Sequence, residues 1–331
     1  MTDYLYGSAL LRAKESSIIG TARMQELLAC PDTEHLWDKL GDFGVLAKTD
    51  PQTNEKLREE TLLSILRAVY EEINLLFPDV PALRLWLYQY DCNNLKAAIK
   101  GFVRDIDPRS MMFDFGTLSV EDVLEAVRSN CFDCFPAHMA AAAALASAEY
   151  AKTKNPQVID LLIDRACYAD MLCDAIESGV DFAVRLVRTK IDLTNLLICI
   201  RILRMRSGEA GRALLQDSLI EGGLLTFADL NAWFDAGEDS LWERLYYSEQ
   251  GRLAAAVAQT DRSLTAVERC IDNVWMNEIQ TAKYVSYGPE VAIAYLLAYE
   301  YEVRNLRILF AAKDAGLDPE TTRERIRESY V

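Results

Sequence analysis

Apolar residues recur along this chain at every third or fourth position, the spacing that gives a helix one apolar face. A clear example runs through Leu62, Leu66, Val69 and Ile73. No segment alternates apolar and polar residues convincingly with the period of two that marks a half-buried strand. The pattern therefore predicts an all-α protein with essentially no sheet.

The longest apolar stripes come in pairs, and a short break separates the members of each pair. The breaks lie at residues 78–81, 178–179 and 286–289, which contain Pro, Gly or both, and such residues end helices. Two long helices joined by a short break predict a helical hairpin. The expected arms are residues 54–77 and 82–102, 156–178 and 181–206, and 263–285 and 289–313.

The second arm of each predicted hairpin carries one motif: an acid, two variable residues, asparagine and leucine. A large apolar residue (Ile99, Ile200 or Phe310) follows four positions after each leucine. This spacing places the repeated positions of each copy on one helical face. The motif residues are Asp91, Asn94 and Leu95, then Asp192, Asn195 and Leu196, and finally Glu302, Asn305 and Leu306.

The spacing of the motif predicts three similar helical domains. Its copies begin 101 and then 110 residues apart, which is too long for a solenoid repeat and suits a small domain. The expected domains are residues 1–115, 116–217 and 218–331, each with short helices followed by a long hairpin. Trp37 and Trp242, which we expect to be core anchors, mark similar places in the first and third domains. Three like units predict a pseudo-threefold funnel, with a linear stack as the alternative.

The charge excludes some classes of partner. The chain has 331 residues and a formal net charge of -16, from 35 basic and 51 acidic residues. Such a surface repels nucleic acid and anionic lipid, and no basic block is long enough to reverse that. We therefore expect no nucleic-acid partner, whereas a basic protein partner is compatible with the charge.

Cysteine usage and hydropathy favour a cytoplasmic location. The eight cysteines lack the dense spacing of a disulfide framework, and the first residues lack the features of a secretory signal. The longest apolar tract, residues 139–148, is too short to span a bilayer. We expect no direct transmembrane insertion, so any membrane association has to be peripheral.

The sequence offers little catalytic chemistry and predicts no cofactor. It contains neither a phosphate-binding Gly-x4-Gly-Lys-Ser/Thr loop nor a nucleophile elbow. The best metal candidate is Cys131, Cys134 and His138, with Cys167 or Cys173 needed as a fourth ligand. No second tight pair of ligands accompanies this cluster, so ordinary buried thiols are the favoured interpretation.

The repeated acid and asparagine allow three interpretations. They can line a central cavity, take part in catalysis or metal binding, or have a structural role. A buried asparagine can satisfy a neighbouring helix end or a break in the adjacent arm, and thereby fix the register of a helix. We favour this structural role, in which the adjoining leucines supply packing.

The opening segment, residues 4–15, reads YLYGSALLRAKE and resembles the start of the C subunit of V-type (A/V-type) ATPases of archaea and bacteria. That protein is the counterpart of the eukaryotic d subunit. Family members begin with a similar helix containing Tyr-x-Tyr, a small residue and Arg-x-x-Glu, and the three acid-x-x-Asn-Leu helices are similar too. The resemblance covers the whole chain, with two departures: Lys14, where an apolar residue is more frequent, and a high cysteine content.

The resemblance implies a non-catalytic component of the central stalk. It implies a funnel of three helical domains that receives the central shaft, made of the D and F subunits, and sits on the membrane rotor ring of proteolipid subunits. Such a component transmits torque for ATP-coupled proton or sodium transport. Two alternatives are a cytoplasmic helical adaptor unrelated to an ATPase and a metal-dependent enzyme that uses the Cys131 cluster.

Overall fold

The computed structural model describes residues 4–46, 55–205, 208–247 and 262–331, with the backbone only for residues 244–247. These residues form helices and contain no strand, so the prediction of an all-α fold is confirmed. The helices are α1 Leu5–Lys14, α2 Thr21–Leu28, α3 Thr33–Asp42, α4 Glu55–Leu76, α5 Tyr88–Arg104, α6 Val120–Ser129, α7 Ala137–Thr153, α8 Gln157–Glu177, α9 Asp181–Met205, α10 Glu209–Ser218, α11 Phe227–Ala236, α12 Glu238–Tyr247, α13 Leu264–Gln280, α14 Pro289–Asp314 and α15 Pro319–Arg323.

Close backbone packing divides the chain into two compact units. The first contains Met1–Val80 together with Trp242–Val331, and the second contains Pro81–Leu241. This division follows packing, whereas the three domains at 1–115, 116–217 and 218–331 follow the sequence repeat. The three domains and their pseudo-threefold funnel therefore stay predictions.

In the first unit, α14 is the central helix. It begins at Pro289, which suits the first helical position because its missing N–H would have no partner there. Helices α1, α3, α4, α13 and α15 pack against it. At one end of the helix, Trp37 on α3 is buried against Phe310, with ring centroids 6.1 Å apart, as expected of a core anchor.

In the second unit, α8 packs along α7 on one side and along α9 and α5 on the others. Helix α6 follows from a strong start signal, because the side chain of Ser119 accepts a hydrogen bond from the N–H of Asp122. It packs against α5. The two helices that carry the first two copies of the motif therefore lie in one core.

The structure differs from the predicted helices at three places. Helix α10, Glu209–Ser218, was not predicted, although its buried residues Gly211, Leu215 and Ser218 lie on one face. The arm expected to reach residue 285 ends as α-helix at Gln280 and continues as a 3-10 turn, Thr281–Tyr284. The arm expected at 82–102 begins with a 3-10 segment, Pro81–Leu87, before α5.

The predicted end of α9 at residue 206 lies outside the described residues. Among the described helices, none combines the length and the apolar composition needed to cross a lipid bilayer.

Candidate functional site

Each motif asparagine holds the peptide group of one residue further along the chain. Its amide nitrogen donates to the carbonyl of that residue, and its amide oxygen accepts from the N–H of the same residue. A primary amide matches a peptide group in this way because each has one donor and one acceptor side by side. The pairs are Asn94 with Phe113 (2.8 and 2.8 Å), Asn195 with Ile220 (2.8 and 2.9 Å) and Asn305 with Arg327 (3.1 and 2.9 Å).

Each motif acid accepts hydrogen bonds from backbone N–H groups just ahead of a short helix. Asp91 accepts from the N–H groups of Thr117 and Leu118 at 3.0 and 3.2 Å, and from the Thr117 hydroxyl at 2.6 Å. Asp192 accepts from the N–H groups of Leu224 and Leu225, both at 3.0 Å. These two acids thus hold the segments that lead into α6 and α11.

The third acid is different, because its partner lies near the other end of the sequence. Glu302 accepts from the N–H of Ile19 at 2.7 Å, within the first unit. Ile19 lies just before α2, as Leu118 comes before the cap of α6 and Leu225 before the cap of α11. The same chemical contact therefore occurs three times.

The motif side chains are buried. The acids and asparagines are at most 5% exposed, and Leu95, Leu196 and Leu306 are buried beside them. The polar atoms meet backbone groups, so each of these six buried polar side chains has a hydrogen-bond partner. This arrangement supports a structural role for the motif over a role in lining an open cavity.

Burial also changes the acidity of the carboxyl groups. It raises the pKa of Asp91 and of Asp192, and the hydrogen bonds from Thr117 and Leu225 oppose that rise. Burial raises the pKa of Glu302 to about 7, opposed by the hydrogen bond from Ile19 and by the charge of Arg23. Glu302 is therefore partly protonated near neutral pH, and one of its carboxyl oxygens still accepts the hydrogen bond from Ile19.

Two glycines belong to this site, although they were not among the predicted site residues. A Cβ atom at Gly116 would lie 2.4 Å from Asp91 Oδ1, and one at Gly223 would lie 2.0 Å from Asp192 Oδ1. Only glycine leaves room for the carboxylate in both places. A usable signal exists in the sequence, since each glycine stands three residues before a helix-capping residue, Ser119 or Thr226.

The opening segment, residues 4–15, forms a second polar contact in the first unit. Arg12 on α1 donates to the carbonyls of Ala282 and Val285, in the break that follows α13, and pairs with Glu15. The hydroxyl of Ser8 accepts from the N–H of Gly288 at 3.2 Å. The residues that carry the family resemblance at the N-terminus thus attach α1 to the break between α13 and α14.

The structure does not assemble the Cys131 cluster into a metal site. Cys131 and Cys134 are exposed, which contradicts their interpretation as buried thiols. The Nδ1 atom of His138 lies 2.7 Å from Asp170 Oδ1, so this ring faces α8 and not a pair of thiols. In the described parts of the chain, no group of three or more His, Cys, Asp or Glu side chains is arranged to hold a metal ion.

The fold and the repeated contacts define an all-helical repeat protein whose recurring polar residues organise its own backbone. The model of one family, described as the ATP synthase (C/AC39) subunit, matches residues 8–325. The chain belongs to this family, which confirms the resemblance found in the sequence.

Relatives with curated names agree with the family. The C subunit of the A-type ATP synthase from Thermococcus onnurineus is 23% identical, over 99% of this chain and 91% of its own length. Its counterpart from Haloferax volcanii is 28% identical, over 71% of this chain and 70% of its own length. The C subunit of the V-type sodium ATPase from Enterococcus hirae is 23% identical, over 74% of this chain and 75% of its own length.

Proposed function

We propose that this chain is a non-catalytic central-stalk component of a V/A-type rotary ATPase. In this role it links the central shaft, made of the D and F subunits, to the membrane rotor ring and transmits torque for ATP-coupled proton or sodium transport. It would act at the cytoplasmic face of the membrane, as a peripheral part of the complex. The observation that carries the proposal is the family match over residues 8–325.

The site geometry supports a mechanical rather than a chemical role. The repeated carboxyl and amide groups are buried and bonded to backbone. A catalytic carboxyl or amide needs access to a substrate, and these groups face peptide N–H and C=O groups instead. Long helices fastened by such contacts suit a part that transmits force without doing chemistry of its own.

Exposed apolar side chains at the ends of the first arms are candidate partner contacts. Leu75 near the end of α4 is 84% exposed, Ile176 near the end of α8 is 53% exposed, and Tyr284 after α13 is 91% exposed. Their shared place at the end of a first arm is the reason for treating them together. We propose that these positions contact the shaft or the rotor ring.

A binding experiment tests the proposed function. The purified chain is mixed at low salt with the purified D–F shaft and, separately, with the rotor ring in detergent. We expect stable binding to both. Binding to neither partner would contradict the proposal and favour the adaptor alternative, and its partners would then be sought by cross-linking in cells.

A reconstitution experiment tests the coupling itself. The complex assembled without this chain should still hydrolyse ATP in its soluble head but should not move ions across a vesicle membrane. Adding the chain back should restore ion movement. Full coupling in its absence would overturn the role in torque transmission.

A further inference from the structure

The third copy of the motif differs from the first two in how its partners are connected. Phe113, held by Asn94, lies only five positions before Leu118, held by Asp91. The same five-residue spacing joins Ile220 to Leu225. In the third copy, Asn305 holds Arg327, but Glu302 holds Ile19, which lies 283 positions from it in the sequence.

Non-covalent contacts take the place of the linker in the third copy. The hydroxyl of Ser329 donates to the carbonyl of Ile19 at 2.5 Å. A Cβ atom built at Gly20 would lie 3.3 Å from the carbonyl oxygen of Val331. The segment after Arg327 and the segment before α2 therefore lie side by side, where a continuous chain runs in the other two copies.

This third contact also has the fewest hydrogen bonds to its acid. Within the described residues, Asp91 accepts from three donors and Asp192 from two, whereas Glu302 accepts from one, the N–H of Ile19. A buried carboxyl group with fewer donors is less well compensated for the loss of water. The contact without a covalent linker is thus also the one whose acid accepts the fewest hydrogen bonds.

A cleft that is open to solvent lies beside this contact. Its volume is about 640 Å³, and it lies between α2, α13 and the segment 323–331. Met24 and Leu28 line it from α2, and Ile326 and Val331 line it from the C-terminal segment. The packing of α2 against this segment is therefore interrupted along the cleft, although α15 itself packs against α2.

We propose that the Glu302–Ile19 contact is a separable seam, at which α2 and the residues before it part from residues 323–331 while α13 and α14 stay folded. Opening breaks the hydrogen bonds of Ile19 to Glu302 and Ser329 and widens the existing cleft. The corresponding contacts of Leu118 and Leu225 stay closed, because their linkers keep the partners together. This inference does not rest on the proposed role in an ATPase.

Hydrogen exchange at single-amide resolution tests the seam, with the other two copies as internal references. We expect the protection factor of the Ile19 amide to be at least about tenfold lower than those of Leu118 and Leu225, since local opening exposes only that amide. Equal protection of the three amides would overturn the proposal.

An engineered disulfide provides the second test. The Cβ position at Gly20 lies 3.5 Å from Val331 Cγ2, the atom that occupies the place of the sulfur in a cysteine at residue 331, so the two cysteine side chains would be neighbours. In the double variant Gly20→Cys/Val331→Cys, oxidised glutathione should form the cross-link, and protection of Ile19 should then rise to the level of Leu118. The reduced double variant and the two single variants are the controls. Unchanged protection of Ile19 in the cross-linked protein would contradict the seam.

The variant Glu302→Ala provides a third test of the seam, and this test does not depend on forming the cross-link. It should lower the protection of Ile19 about tenfold further and leave that of Leu225 unchanged, because only the local contact is weakened. An equal loss of protection at both amides would mean that the contact opens only with global unfolding, which would overturn the seam.

Discussion

Asn94, Asn195 and Asn305 each bind both polar atoms of one peptide group, and this is the most regular feature of the chain at the scale of single residues. The side chain is buried in all three copies. Removing it would leave an N–H and a C=O group without partners in a place that excludes water. The cost of such a loss exceeds the net value of the hydrogen bonds themselves.

The substitution Asn94→Leu is therefore expected to destabilise the protein by about 2–4 kcal/mol. Chemical denaturation measures this change. The neighbouring Asn93 is exposed, so Asn93→Leu is a matched control that should change the free energy of unfolding by less than about 0.5 kcal/mol. Asn195→Leu should behave like Asn94→Leu, and equal stability of all three variants would refute the structural role.

Glu302 is expected to make stability depend on pH. Its pKa is about 7 in the folded protein and 4.5 as a free side chain. Between these values the folded state binds more protons than the unfolded state, so the free energy of unfolding falls as the pH rises through this window. The loss is on the order of 3 kcal/mol for this group.

The variant Glu302→Gln isolates this effect, because its amide oxygen can still accept from Ile19 and it does not titrate. The difference in unfolding free energy between the variant and the original protein should change between pH 5 and pH 8, in favour of the variant at the higher pH, as expected for a carboxyl group that charges in this window. A difference that is independent of pH would show that Glu302 titrates in its ordinary range.

At the scale of elements, the first two motif acids fix the backbone just before the short helices α6 and α11. Asp91 and Asp192 hold the residues before the caps of α6 and α11. Gly116 and Gly223 allow the close approach of the carboxylates. The acid, the glycine and the capping residue thus act together at the start of α6 and again at the start of α11. In both places the glycine and the capping residue lie in one continuous segment.

A double-mutant cycle tests this arrangement. Gly223→Ala should destabilise the protein by about 1–3 kcal/mol, because the added methyl group would overlap the carboxylate of Asp192. In an Asp192→Ala background, the same glycine substitution should cost clearly less, since the overlap with the carboxylate is gone and only the 3.2 Å approach to Ile191 Cγ2 remains. Additive effects in thermal or chemical unfolding would show that the glycine serves another purpose.

At the scale of the whole molecule, the exposed ends of the first arms are the clearest candidates for contact with other proteins of the complex. Tyr284, Leu75 and Ile176 occupy similar positions in the three sequence repeats and are exposed. Tyrosine is well suited to such a contact, since it offers apolar area together with a hydroxyl group.

The variant Tyr284→Ser is expected to weaken binding to the shaft or to the rotor ring at least about tenfold without loss of stability, the usual behaviour of an aromatic contact residue. Leu145→Ser is the control, because Leu145 is 48% exposed but lies in the middle of α7 and not at the end of an arm. Binding can be measured by interferometry with each partner separately. Equal binding of both variants to both partners would exclude Tyr284 from the interface.

The sequence by itself determined the all-α class, the long helices and the family. The spacing of apolar residues and the position of helix-breaking residues are local features of the sequence. The bounds of α4, α8 and α14 therefore follow closely from them. The repeated motif was visible for the same reason, because its acid, asparagine and leucine lie within one helical turn or two. The opening Tyr-x-Tyr and Arg-x-x-Glu pattern, together with the three motif helices, was sufficient to identify the family.

Only the tertiary structure decided what the motif binds. The partners of Asn94, Asn195 and Asn305 lie 19, 25 and 22 residues away, in segments without a periodic pattern. The connection of Glu302 to Ile19 spans 283 residues, and no local rule of sequence predicts it. Such contacts arise from packing between distant segments. A buried carboxyl or amide needs a hydrogen-bond partner, and that partner is whichever backbone group the fold places beside it.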